Sequence, residues 1–330
     1  MGNNMQPGRR LSNILAGAVT IAILLVLLKK VNLSRIEISG FYFLPAVLVL
    51  ASTLAAYILR AYTYRIILKD EKVLPVGMLF NITGLYNFLS SLFPFGIGHL
   101  SYPYFVGKYA CVSLSHSLNS LLLYNFVRVI LLLVLMTISS AKGVQFHHFF
   151  SVFEQTIWLA YTILALIIVS ILIGLVIRYG RRQRLPGHDN RFSKAGAGFF
   201  AFIRGDLRLL PSVVILAIII ILFNSFNIYF SYRTFGINLS IYATFFLFSL
   251  SNLSSFLPIH ALSSIGSFEL VNSLGMVLLG FESNQAIQIS FAVHFLGLAI
   301  QSLFAVACYY ALRKFYLLEA YASENSRKHT

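Results

Sequence analysis

The sequence predicts an all-α membrane fold: one polytopic domain over residues 1–330, with six spanning helices and two re-entrant helical hairpins. Three observations carry this prediction. Of 330 residues, 58% are apolar and 11% charged, less than half the roughly 25% charge of a soluble domain. Six stretches approach the ~20 apolar residues that cross a bilayer core. Two further apolar regions are shorter and are broken by Pro and Gly.

The first predicted span, 11–28, lies between Arg9-Arg10 and Lys29-Lys30. Its flanks imitate a signal peptide, but no small-residue cleavage site follows, so it reads as a retained helix. The others cover 41–60, 118–138, 157–177, 211–232 and 286–312. The broken regions fall at 76–115 and 240–280. Backbone that leaves the helix at membrane depth is tolerated only against protein or a wet cavity. Two such breaks therefore predict a polar interior.

Net charge is +15, from 25 basic and 10 acidic residues. The cations sit between apolar runs rather than on a polar face, which excludes nucleic acid and suits topology and contact with anionic lipid. With the N-terminus in the cytoplasm, inner segments hold 18 basic residues and outer ones 5. Arg60 is counted among the inner ones, together with eight from Arg178 to Arg208. This places both termini and the basic loop 178–208 on the cytoplasmic side of the cytoplasmic membrane. The hairpins then enter from opposite sides. Cys111 and Cys308 say little about redox compartment.

The hairpins resemble one another. Ser90-Ser91-Leu92-Phe93-Pro94 marks one bend and Ser254-Ser255-Phe256-Leu257-Pro258 the other. Gly96-Ile97-Gly98-His99 follows the first, Ser264-Ile265-Gly266-Ser267 the second, and Asn87 and Asn252 precede the respective prolines. Similar breaks approached from opposite sides form the pattern of an inverted repeat. In transporters, such paired interruptions point to the substrate site.

Candidate site residues follow from cost. An ionisable group in an apolar segment is expensive unless paired or wetted. Glu269 lies in the early turns of a helix after the second break. It reads either as a cap or as a group that binds a cation, a proton or a cationic head group. Arg128, the one arginine deep in a predicted span, suits a phosphate by bidentate hydrogen bonding. The competing reading is an internal salt bridge with Glu269. Ser90, Ser91, Asn252, Ser254, His99 and His260 supply hydrogen bonds at the bends, with Gly96, Gly98 and Gly266 shaping them. Lys108 reads as snorkelling to head groups, and His116 and His294 as lone buried histidines. Nothing in the spacing points to a metal or cofactor, and nucleotide-binding and hydrolase motifs are missing.

With those residues in view, the chain resembles the flippase-like transmembrane family that includes the membrane domain of lysylphosphatidylglycerol synthases. The resemblance covers about residues 10–315. It rests on Phe93-Pro94-Phe95-Gly96-Ile97-Gly98 with Gly107-Lys108 and Ser113. A second match is Leu257-Pro258 with Ser264-Ile265-Gly266-Ser267-Phe268-Glu269. His99 stands where that family usually has an acid, and Tyr102 where it has an Arg. Tyr124-Asn125-Phe126-Val127-Arg128 replaces a Glu-Arg-x-x-Asp pattern. The resemblance implies a lipid flippase moving an anionic, aminoacylated or glycosylated lipid between leaflets. No synthetase domain accompanies it here, so the partners implied are membrane lipids and a separately encoded lipid synthase or glycosyltransferase. Two other readings stay open: a membrane transferase acting on polyprenyl-phosphate or phospholipid, and an accessory subunit of a lipid synthase. Of the ten acids only Glu269 lies inside an apolar segment, so the expectation is not an enzyme.

Overall fold

A computed structural model describes residues 41–69, 71–93, 97–143, 207–254 and 267–328. Their order is α1 (Phe43–Leu68), α2 (Val76–Leu92), α3 (Ser101–Ala110), α4 (Leu114–Gly143), α5 (Leu210–Thr234), α6 (Ile241–Ser254), α7 (Ser267–Leu278) and α8 (Ser283–Lys328). Single 3₁₀ turns, Ile97–Leu100 and Leu207–Leu209, lead into α3 and α5. No strand occurs among the described residues.

Four segments are long and apolar enough to cross a bilayer: Phe43–Leu68, Leu114–Ser140, Leu210–Thr234 and Ser283–Lys314. They contain four of the six expected spans. The expected spans at 11–28 and 157–177 lie outside the described residues, as do most of the basic loop and both bends (94–96 and 255–266). The helices α2, α3, α6 and α7 have 17, 10, 14 and 12 residues. At 1.5 Å per residue they reach about 15–25 Å, short of a ~30 Å hydrocarbon core.

Each short pair begins and finishes at one end of the molecule. Lys72, before α2, donates from Nζ to the carbonyl of Ala110 at the end of α3 (3.0 Å). Glu71 accepts from the Ser113 N–H (2.7 Å) and meets His116 Nδ1 at 2.8 Å, so it also serves the N-terminus of α4. In the other pair, Leu239 and Ala243 at the start of α6 share an apolar cluster with Met276 near the end of α7.

The centre is the antiparallel pair α1 and α5. The Tyr42 N–H bonds the Thr234 carbonyl at 2.9 Å, and Asn227 reaches Val49 and Thr53 further along. Around this pair the short helices cross over: α2 packs on α8, and α6 on α4. Gly84 makes the first crossing close, because a Cβ there would stand 2.5 Å from Cys308 Sγ.

The helix faces are inverted relative to a soluble protein. On α1, Leu44, Val47, Leu50, Leu54, Ile58 and Tyr62 are exposed, at steps of three and four, while Ser52, Thr53, Arg60 and Thr63 are buried. On α5, Ile215, Ile218, Leu222 and Phe226 form the exposed stripe, and Ser225 and Ser231 are buried. An apolar exterior, with the polar residues of each helix turned inward among apolar ones, is what hydrocarbon solvent selects. Buried hydroxyls bond back to their own helix, as in Thr53 and Thr63 with the Val49 and Leu59 carbonyls at 2.8 Å.

Gly84→Ala is expected to lower the thermal midpoint of the purified protein, since the added methyl overpacks the α2–α8 crossing by roughly 1–3 kcal/mol. Cys308→Ala in the same chain removes the opposing sulfur and should restore most of the loss. A melting curve unchanged by Gly84→Ala would contradict the close crossing.

Candidate functional site

A cavity of about 280 Å³ lies where the ends of α2, α6 and α7 meet the middles of the four long helices. The residues that each helix contributes follow its own period. From α1 come Val49, Thr53, Tyr57 and Arg60; from α2, Tyr86, Asn87, Ser90 and Ser91; from α8, His294, Gly297, Ile300 and Gln301. Arg128 enters from α4, Asn224 and Asn227 from α5, Ser251 and Asn252 from α6, Phe268 from α7, and His99 from the 3₁₀ turn. The lining is rich in amides and hydroxyls and carries two guanidinium groups.

Both arginines are held in the same manner. Arg60 Nη1 donates to Asn87 Oδ1, and Arg128 Nη2 donates to Asn252 Oδ1. The two asparagines that precede the broken segments therefore each meet a cation from a long helix. Asn252 is itself fixed by donating from Nδ2 to the Phe248 carbonyl at 2.7 Å. Arg60 also lies over the Tyr124 ring, 5.6 Å from its centroid, a cation–π contact. Nε of each arginine is buried without a hydrogen-bond partner among the described residues, as is Nδ2 of Asn87. A guanidinium has five N–H donors, and each arginine turns to the cavity with one of them engaged by an asparagine.

Among the described residues the ion pairs are His116–Glu71 and His294–Glu269. The expected alternative of an Arg128–Glu269 salt bridge is therefore corrected. Glu269, in the first turn of α7, accepts from His294 Nδ1 at 2.5 Å and is 4% exposed. Phe268 stacks beside the imidazole, with ring centroids 4.6 Å apart. His294 lines the cavity and Glu269 does not. No group of three or more His, Cys, Asp or Glu side chains arranged to hold a metal occurs among the described residues.

Ser90, Ser91, His99, Arg128 and Asn252 thus come together in one cavity. His99 Nδ1 pairs with Tyr86 OH at 2.9 Å, and Ser91 donates to Gln301 Oε1 at 2.7 Å, tying α2 to α8. Gly98 allows a close approach of backbone. A Cβ there would stand 2.4 Å from the Leu89 carbonyl oxygen, so the glycine lets the 3₁₀ turn rest on the end of α2. His260, Gly96, Gly266 and the side chain of Ser254 lie outside the described residues.

Arg60 corrects the reading of charge. The sequence places it on the inner flank because the uncharged apolar run stops at residue 59. The helix instead continues to Leu68, and Arg60 is 7% exposed within it. Arg128 is accordingly one of two deep arginines, and 17 inner basic residues remain against five outer. Alternation would have exposed the error, since Thr53, Tyr57, Arg60 and Tyr64 recur at helical spacing on one face. His294 is likewise not a lone histidine, but its partner is 25 residues away in another helix, which no local pattern reports.

A further buried network stiffens the wall made by α5 to α8. Tyr232 donates to Asn272 Oδ1 at 2.9 Å, Ser251 to the same oxygen at 3.3 Å, and Asn272 Nδ2 to Ser290 Oγ at 3.1 Å. One amide thereby joins four helices.

The family model described as the lysylphosphatidylglycerol synthase TM region matches residues 13–305. The chain belongs to that family. It is a multi-pass membrane protein, and membership in the lysylphosphatidylglycerol synthase TM family ties it to membrane-lipid biochemistry. No curated protein and no solved structure matches the chain.

Asn272→Leu should leave Tyr232 and Ser290 without their buried partner, at a cost of roughly 1–3 kcal/mol. The purified variant is expected to melt several degrees lower. Hydrogen exchange should rise in α6 and α7 before α1; uniform acceleration throughout would contradict the local role.

Proposed function

We propose that the chain is a lipid translocator that carries the polar head group of a membrane lipid through this cavity while the acyl chains stay in hydrocarbon. The observation that carries the reading is two guanidinium groups, each with unused donors, in a polar cavity midway along helices whose outer faces are apolar. Charges placed at such depth are costly, and a passing anionic head group gives them a purpose. In this reading α2–α3 and α6–α7 are re-entrant hairpins of an inverted repeat. Their short lengths, the adjacency of their ends and the reciprocal crossings support that geometry. The bias of basic residues supports a cytoplasmic membrane location with both termini inside.

The protein performs no chemistry of its own in this reading, and a separately encoded synthase or glycosyltransferase makes the lipid. Ser90, Ser91, Asn224 and Gln301 offer hydrogen bonds to the rest of the head group. Asn87 and Asn252 position the arginines. Glu269 acts through His294.

The test is leaflet exchange of a labelled phospholipid in liposomes holding the full chain. Charge-assisted hydrogen bonds are worth roughly 1.5–3 kcal/mol, so Arg60→Ala and Arg128→Ala should each slow exchange about tenfold or more. Lys108→Ala is the control: that side chain is exposed and lies over Tyr104 and Tyr109, away from the cavity. Exchange equal to empty liposomes with the unaltered protein would overturn translocation, and product formed from lipid and an activated donor would favour the transferase.

A further inference from the structure

The geometry points to one substrate class: a lipid phosphodiester whose remaining head group is uncharged and hydroxyl-bearing, such as glycerol, inositol or a sugar, and not an aminoacylated, cationic one. The inference rests on the proposed lipid site and narrows what that site accepts.

The sign of the cavity decides it. Arg60 and Arg128 both face the cavity, and neither has a carboxylate partner among the described residues. Glu269, the one described acid near it, is buried and engaged by His294, which stands on the cavity wall in its place. Among the described residues, an ammonium entering here would meet two fixed cations and no carboxylate on the wall. A phosphate would meet planar forks that bind its oxygens in pairs.

The remaining wall fixes the second half of the head group. Asn87, Asn224, Gln301, Ser90 and Ser251 line the same space. Amides and hydroxyls both donate and accept, which matches the dual character of a sugar or polyol hydroxyl. The described wall presents no carboxylate beside the arginines, and its rings, Tyr57, Tyr86 and Phe268, stand in a space that already holds two fixed cations.

Binding to the full chain in detergent tests this, using native mass spectrometry with phosphatidylinositol, phosphatidylglycerol and the lysyl ester of phosphatidylglycerol. Phosphatidylinositol and phosphatidylglycerol should each bind about tenfold or more tightly than the lysyl ester. Arg60→Gln and Arg128→Gln should erase that preference, whereas Glu269→Gln should leave it. Equal or tighter binding of the lysyl ester overturns the inference. Equal binding of soluble glycerophosphoinositol overturns its assignment to a lipid. The comparison of lipids on the unaltered protein needs no substitution, so a variant that misfolds does not blunt the test. Selective binding without leaflet exchange would uphold the head-group assignment while removing translocation.

Discussion

Two guanidinium groups carried by membrane-length apolar helices and turned to an interior cavity are the constraint around which this molecule is arranged. Each must find acceptors at a depth where water does not supply them freely. A continuous helix offers none, because its carbonyls are already spent on its own turns. Here the acceptors are side-chain amides, Asn87 and Asn252, near the ends of helices too short to cross. The broken segments and the buried cations therefore explain one another. Remove the short helices and the arginines have no local partner. Remove the arginines and an amide at mid-depth loses its acceptor's use.

An amide is a different partner from a carboxylate. An ion pair would neutralise the arginine, consume two or more of its donors and close the site. Asn87 and Asn252 each accept one hydrogen bond and leave the charge uncancelled. The low local dielectric that makes such a charge costly also strengthens whatever it binds. Glu269 could have cancelled one of them, yet it lies against His294 on the neighbouring helix. The carboxylate is thus spent on an imidazole, and the cavity keeps its positive character among the described residues.

Much of the architecture was legible because hydropathy reports length directly. Four spans, the two interrupted regions and the equivalence of Asn87 with Asn252 all came from apolar runs punctuated by Pro, Gly and Ser. Arg60 was not legible from that signal, since a run was taken to stop at its first charge. Hydrocarbon tolerates an inward arginine if the face is polar, so the run continued for two more turns. Asn224 and Asn227 were hidden differently, because isoleucine and leucine on the outer face of α5 outweigh two inward amides in any average. His294 and Glu269 needed tertiary information. Gly98 could be read as a glycine of the bend, but the surface it rests on, the α2 backbone, is a tertiary fact. Periodicity of polar residues inside an apolar helix, rather than mean hydropathy, is the signal that would have recovered the missed half of the site.

The two halves share an order of elements, long, short, short, long, and exchange partners across the centre. The short helix α2 packs on the last helix of the second half, and α6 on the last helix of the first. Neither half can therefore enclose the cavity alone. Reciprocal packing of this sort builds a space bordered by helices of both groups, but it says nothing of sign. Side chains break the equality: both arginines stand on α1 and α4, and the carboxylate–imidazole pair on α7 and α8. Charge therefore enters the cavity from α1 and α4, and amides enter it from both groups of helices, so the asymmetry of the space lies in its side chains and not in the order of its elements.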